Sequence, residues 1–319
     1  MKTGLFRWAC GRKTSGWTRR QGCPYPGRFT PWARVSDHEQ VLGRWGQASA
    51  LVRAQPGAVL DVPYGDGPME ALDIYPAAGA GSAAVAPGAA MAPGAPPGSL
   101  APVLVFIHGG YWRSLDKAQH AFLAPAFQAQ GAMVVVPNYA LCPAVGVEQI
   151  VLQLATALVW VWHRAAQYGG DASRIALVGH SAGGHLATML LSCRWKEIAE
   201  EMPVQPISGA LSISGLYDLE PLRHTASIQK DLQLSAASVA RLSPAFFPRP
   251  KGAKLYAAVG LDESEEFLRQ NRLIRDVWGP TAVPVCETVP QTNHFTVLNG
   301  LADPAHRLHG LALRLLGLR

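Results

Sequence analysis

From residue 103 onward, short apolar runs alternate with stretches in which apolar residues return every three or four positions. VLVFIH (103–108), AMVVVPNY (132–139), RIALVGH (174–180), GALSISGLY (209–217), AKLYAAVG (253–260) and AVPVCETVP (282–290) predict strands. Continuous apolar runs of this length suit sheet members covered on both faces. Between them, helical spacing predicts a helix over 116–130 broken near Pro125, and a long one over 147–169. Further helices are predicted over 182–193 and 264–279. A terminal helix is expected to start with Asp303 as its cap and Pro304 in its first turn. Upstream, residues 41–54 have weak helical spacing, and ALDIYP (71–76) alternates like a strand. Residues 220–250 are irregular with helical fragments and are expected to form a small cap. Strands alternating with amphipathic helices give an α/β fold, a mainly parallel central sheet with helices on both faces.

Composition adjusts this picture in two places. The chain has 319 residues, 49% hydrophobic and 16% charged, enough for one large domain. Residues 77–102 are almost wholly Ala, Gly, Pro and Ser, a composition that reads as a flexible surface insertion within a domain spanning 41–319. The net charge of +6 is local: residues 1–40 hold eight Lys/Arg against two Asp/Glu, and the remainder is balanced. A basic, poorly ordered arm on a neutral domain is expected, with no nucleic-acid partner. No apolar run reaches membrane-spanning length and the start lacks an apolar signal core, so no membrane partner is expected. Five scattered cysteines without a CxxC pair fit reduced thiols in a cytoplasm. No His/Cys/Asp cluster has ligand spacing, so neither a metal nor an organic cofactor is expected.

Chemistry concentrates at the strand ends. Gly179-His180-Ser181-Ala182-Gly183 is a GxSxG pattern placed where an apolar strand ends and a helix begins, the context of a nucleophile elbow. A serine hydroxyl needs a base to take its proton, and in this arrangement the chain order is Ser, acid, His. His294 follows the last strand in a loop, whereas His306 and His309 fall in the terminal helix, on a solvated face. His185, one turn past Ser181, reads as a packing or hydrogen-bonding residue. Asp262, directly after the strand 253–260, is the expected acid, with Glu263, Glu265 and Glu266 as the acidic first turn of the next helix and Asp218 as the rival. Attack on a carbonyl makes an oxyanion that needs backbone donors. Ala182 supplies one, and Gly110 and Tyr111 of the HGGYWR loop (108–113) the others. Tyr111, Trp112 and Phe295 then stand as candidate substrate-binding aromatics.

HGGYWR, PNYALCP, GHSAGGHLA, SGLYDLEPL, GLDESEEFLRQ and NHF together resemble the α/β-hydrolase kynurenine formamidases, relatives of the hormone-sensitive-lipase-like esterases. The resemblance runs from about residue 57 to the C-terminus, with the Ala/Gly/Pro tract as an insertion. It implies an α/β-hydrolase fold, with the family's nucleophile on Ser181, its acid on Asp262 and its base on His294. Tyr111 stands where the esterase branch has a third glycine. The function implied is hydrolysis of an aryl formamide, N-formyl-kynurenine, to kynurenine and formate through a covalent acyl-enzyme. A general short-chain carboxylesterase is the alternative, and a non-catalytic binding module on the same scaffold is the alternative of another class. The partner expected is a small-molecule substrate, and a homodimer is compatible with the chain.

Overall fold

The computed structural model describes residues 35–78 and 100–319. Most of the basic arm (to residue 34) and of the Ala/Gly/Pro tract (79–99) lies outside the described residues. Eight strands form one sheet: β1 Val59–Pro63, β2 Ala71–Tyr75, β3 Ala101–Ile107, β4 Met133–Pro137, β5 Gly170–His180, β6 Ile207–Ile213, β7 Lys254–Gly260 and β8 Val285–Val289. Their order is β1-β2-β4-β3-β5-β6-β7-β8. The β1–β2 and β2–β4 pairs are antiparallel, and every pair from β4 through β8 is parallel.

Strand β3 shows why the sheet needs two covers. All seven of its residues are buried, and successive side chains leave on opposite faces. Val103, Val105 and Ile107 join a core with Ile150, Leu154, Leu186 and Ile274. Those residues come from the helices Val147–Arg164, Ala182–Leu191 and Glu265–Ala282. Leu104 and Phe106 join the opposite core with Val41, Trp45, Phe127, Leu308 and Leu311, supplied mainly by the helices His38–Arg53 and Arg307–Leu315. Each such aliphatic or aromatic side chain contributes roughly 1.5–3 kcal/mol by leaving water.

The register aligns the strand ends. Ile107 lies beside Gly179, His180 beside Ile213, Ile213 beside Ala258, and Gly260 beside Val289. The turns leaving β3, β5, β6, β7 and β8 therefore open at a single edge, where ligands of such sheets bind.

Three local expectations change. Strand β1 has no counterpart in the apolar pattern, because VLDVP is a half-exposed edge strand. The terminal helix starts at Arg307, capped by the His306 side chain, which accepts from the Leu308 amide. Asp303 instead closes a short turn by accepting from the Ala305 amide. His309 is fully buried, stacked on Phe127 at 4.3 Å, not on a solvated face. Residues 220–250 hold three short helices, Glu220–Arg223, Ala226–Leu232 and Ala236–Leu242. Among the described residues, no helix is long and apolar enough to cross a membrane.

Candidate active site

Ser181 sits between β5 and the helix Ala182–Leu191 with φ 57° and ψ −119°, a conformation that a non-glycine residue adopts only when its surroundings enforce it. The enforcement is steric and hydrogen-bonded. A Cβ on Gly179 would overlap the Gly183 carbonyl, and one on Gly183 would overlap the carbonyls of Ile107 and His108. The Ser181 amide donates to the Ile213 carbonyl at 2.8 Å. The turn thus packs backbone against backbone, and the hydroxyl is lifted out at the sheet edge.

His294 meets that hydroxyl. Its Nε2 stands 3.0 Å from Ser181 Oγ, and its Nδ1 stands 2.6 Å from Glu263 Oε2. A carboxylate accepts only, so the Nδ1–H is the donor and Nε2 is left to accept the serine proton. The other Glu263 oxygen accepts from Ser214 Oγ and, at 2.9 Å, from the Gly260 amide. These donors compensate a side chain that is fully buried.

The loop HGGYWR (108–113) follows β3 and passes directly over Ser181. A Cβ on Gly109 would stand 2.9 Å from the His180 carbonyl oxygen and 3.1 Å from Ser181 Cβ. Gly110, Tyr111 and Trp112 all have positive φ (98°, 51° and 56°), so the chain coils left-handed over three residues above Ser181. Polar contacts from the two residues after β4 hold this shape. Tyr139 donates its hydroxyl to the His108 carbonyl at 2.8 Å, and its ring stacks on the His108 imidazole at 4.2 Å. His108 Nε2 pairs with Asn138 Oδ1 at 3.1 Å, and burial holds that imidazole below its ordinary pKa. Ala182 opens the next helix, so its N–H has no partner within that helix. Arg113 ties the far end of the loop to residues 220–250 by pairing with Asp231 and donating to the Ser227 carbonyl.

The BD-FAE family model matches residues 93–236, which include both the HGGYWR loop and the turn at Ser181. The kynurenine formamidase of Danio rerio is 29% identical over 304 residues, covering 92% of this chain and 94% of its own. That of Salmo salar is 30% identical over 279 residues, covering 85% of this chain and 86% of its own. The chain belongs to the kynurenine formamidase family. A crystal structure of a candidate thioesterase from Silicibacter sp. TM1040 superposes with a TM-score of 0.73 at 28% identity, covering 89% of this chain and 97% of the other. The fold is the α/β-hydrolase fold, and the protein is a hydrolytic enzyme of that class.

Within this formamidase-family chain the geometry corrects one predicted residue. Asp262 does not reach His294: its side chain is exposed, and its amide donates to the Thr292 carbonyl at 3.0 Å. Residues 261–263 form a turn after β7, closed by the Glu263 amide donating to the Gly260 carbonyl at 3.3 Å, and this turn leaves Asp262 exposed and Glu263 buried. Glu263 is therefore not part of the acidic first turn of the next helix. Asp218 is also apart from the base. It pairs with Arg269 at 3.4 Å and accepts from the Glu220 amide, and burial pushes its carboxyl up. His185 takes the packing role, its Nε2 bonded to the Leu242 carbonyl at 2.7 Å.

The aromatic residues divide between core and site. Trp112 is fully buried, edge-on to His185 at 5.0 Å. Phe295 presents an edge contact to His294 at 5.7 Å but stacks on His38 at 6.0 Å and packs near Trp45. The aromatic ring in the cavity beside His294 is Phe267, a residue that helical spacing marks only as a core position. That cavity has a volume of about 440 Å³ and is also lined by Val35, Ser264 and Asn293. Ser214, at φ 53° after β6, is the other residue that pattern reading missed, and a lone serine after a strand carries no local signal.

Proposed function

We propose that this enzyme hydrolyses N-formyl-kynurenine, or a close aryl formamide, to the free aryl amine and formate through a formyl-enzyme. The observation that carries the reading is the continuous chain from Ser181 Oγ through His294 to Glu263, at 3.0 and 2.6 Å. Ser181 Oγ attacks the formyl carbon as His294 Nε2 takes its proton, and the carbonyl oxygen becomes an oxyanion facing the amides of Gly110, Tyr111 and Ala182. His294 then returns the proton to the aryl nitrogen, the C–N bond breaks, and the amine leaves. Water, activated by the same nitrogen, attacks the formyl ester, and formate departs as Ser181 recovers its proton. Glu263 holds the Nδ1–H tautomer and offsets the imidazolium charge.

Family membership supports the formamide, and the site supports a small acyl group, since Ser181 is 2% exposed under the Gly109 backbone. We read residues 41–319 as one catalytic domain with 220–250 as its cap, which the Arg113–Asp231 pair would hold against the oxyanion loop. The test compares kcat/KM for N-formyl-kynurenine with that for p-nitrophenyl acetate and butyrate. The expected result is a clear preference for the formamide. Background turnover of formyl-kynurenine beside brisk hydrolysis of butyrate would replace this reading with a short-chain carboxylesterase.

A further inference from the structure

His180 precedes the nucleophile and has no place in the proton transfer, yet its buried ring touches both loops that complete the site. Its Nε2 lies 2.7 Å from the carbonyl oxygen of His294, and the two imidazole centroids are 4.7 Å apart. On the other side its Nδ1 stands 3.4 Å from where a Cβ on Gly109 would be. A carbonyl only accepts, so the N–H must be on Nε2. Burial, reinforced by the neighbouring His294, holds the ring well below its ordinary pKa and keeps it neutral.

The loop that carries His294 is otherwise hydrogen-bonded to itself, to the end of β8 through the Thr292 hydroxyl on the Val289 carbonyl, and to the turn after β7, and Phe295 packs it against His38 and Trp45. Asn293 Oδ1 accepts from the amides of Phe295 and Thr296, and the Thr292 carbonyl accepts from the Asp262 amide. The side-chain bonds to Ser181 and Glu263 orient the imidazole, but they do not fix the height of its backbone above the elbow. We propose that His180 is a positioning residue: its Nε2–H clamps the His294 backbone to the nucleophile's own turn and so sets the Ser181–His294 separation. This rests on the Ser181–His294–Glu263 reading above.

Glutamine and asparagine substitutions separate this role from simple filling of space, because a glutamine amide nitrogen reaches the Nε2 position and an asparagine one stops near Nδ1. The readout is the rate of Ser181 labelling by a fluorophosphonate, which does not depend on the natural substrate. Ser181→Ala serves as the blank, and kcat and KM for p-nitrophenyl acetate are measured alongside. His180→Gln should label within about threefold of the parent. His180→Asn should label roughly 10- to 100-fold more slowly, with kcat falling and KM little changed, as expected for a misplaced base. The low-field proton resonance of the His294 Nδ1–H should persist in the glutamine variant and move in the asparagine one. Equal rates for the two variants, or a parent rate in His180→Asn, would overturn the proposal. If the asparagine variant does not fold, His180→Phe, a ring without a donor, takes its place, and a parent labelling rate there overturns it equally. Labelling of the Ser181→Ala blank would instead overturn the nucleophile, a separate failure.

Discussion

The turns that leave β5 and β7 each deliver one member of the proposed triad to the same sheet edge, but they are specified in different ways. The β5 turn is specified by excluded volume. Glycines stand where any side chain would overlap backbone oxygens from its own helix and from β3, and Ser181 is left in a left-handed conformation at its apex. The β7 turn also begins at a crowded glycine, since a Cβ on Gly260 would overlap the Thr292 carbonyl, but that constraint does not choose its carboxylate. Two adjacent carboxylates, Asp262 and Glu263, compete for one place, and the winner is met by the Gly260 amide at the end of β7 and by a donor from another element, Ser214 after β6. Steric constraint leaves a mark in the local sequence. Selection by distant partners does not.

The largest expected effect is at the β5 apex. Ser181→Ala removes the proposed nucleophile from a turn whose backbone its hydroxyl does not otherwise support, so folding should survive. Turnover should fall on the order of 10⁶-fold by analogy with serine proteases. Steady-state kinetics with mass-spectrometric mapping of fluorophosphonate labelling checks this, and a label on another residue would sink the assignment.

Next is the β7 carboxylate. Glu263→Gln keeps the shape and the acceptor oxygen but can no longer impose the Nδ1–H tautomer on His294. The general precedent for this change is a loss of about 10⁴ in kcat. An unchanged kcat in Glu263→Gln would remove the residue from the triad.

This asymmetry also explains which parts were legible in the sequence. The parallel sheet was legible because β3 to β7 are runs buried on both faces, and Ser181 and His294 were legible because motif and chain order constrain them together. The edge strand β1 was not, since it is too short and too exposed to leave an apolar pattern. The Asp303–Pro304 pair looks like a helix start, but the helix waits for His306 to cap it. His309 reads as surface until Phe127, on another element, is seen stacked on it. Glu263 shares this cause: its burial is a fact about β6 and β7 together. Trp112 and Phe295, expected as substrate-binding aromatics, stand in the loops after β3 and β8, where tertiary packing buries them in the core.

An intermediate effect is expected at Ser214, which holds Glu263 from β6. A hydrogen bond to a charged group contributes about 1.5–3 kcal/mol, so Ser214→Ala should lower kcat roughly 10- to 100-fold if that whole contribution is needed in the transition state. The Gly260 amide still holds the same oxygen, so the loss should remain well short of that in Glu263→Gln. Equal losses in the two variants would mean that Ser214 acts on more than the carboxylate, and a double-mutant cycle would measure the difference.

The smallest effect is expected at Asp262, and it is the sharpest test of the contrast between the two turns. Its carboxylate is exposed, and the bond that matters to the base loop comes from its backbone amide to the Thr292 carbonyl. Asparagine keeps that amide and nearly the same shape while removing the charge. Exposed substitutions of this kind usually change stability by less than about 0.5 kcal/mol, and kcat for Asp262→Asn should stay within about twofold of the parent. Measured beside Glu263→Gln under the same conditions, the pair should differ by several orders of magnitude. If Asp262→Asn proved the more damaging, the inward-facing carboxylate during turnover would be Asp262. The turn after β7 would then have to exchange its two side chains when substrate binds.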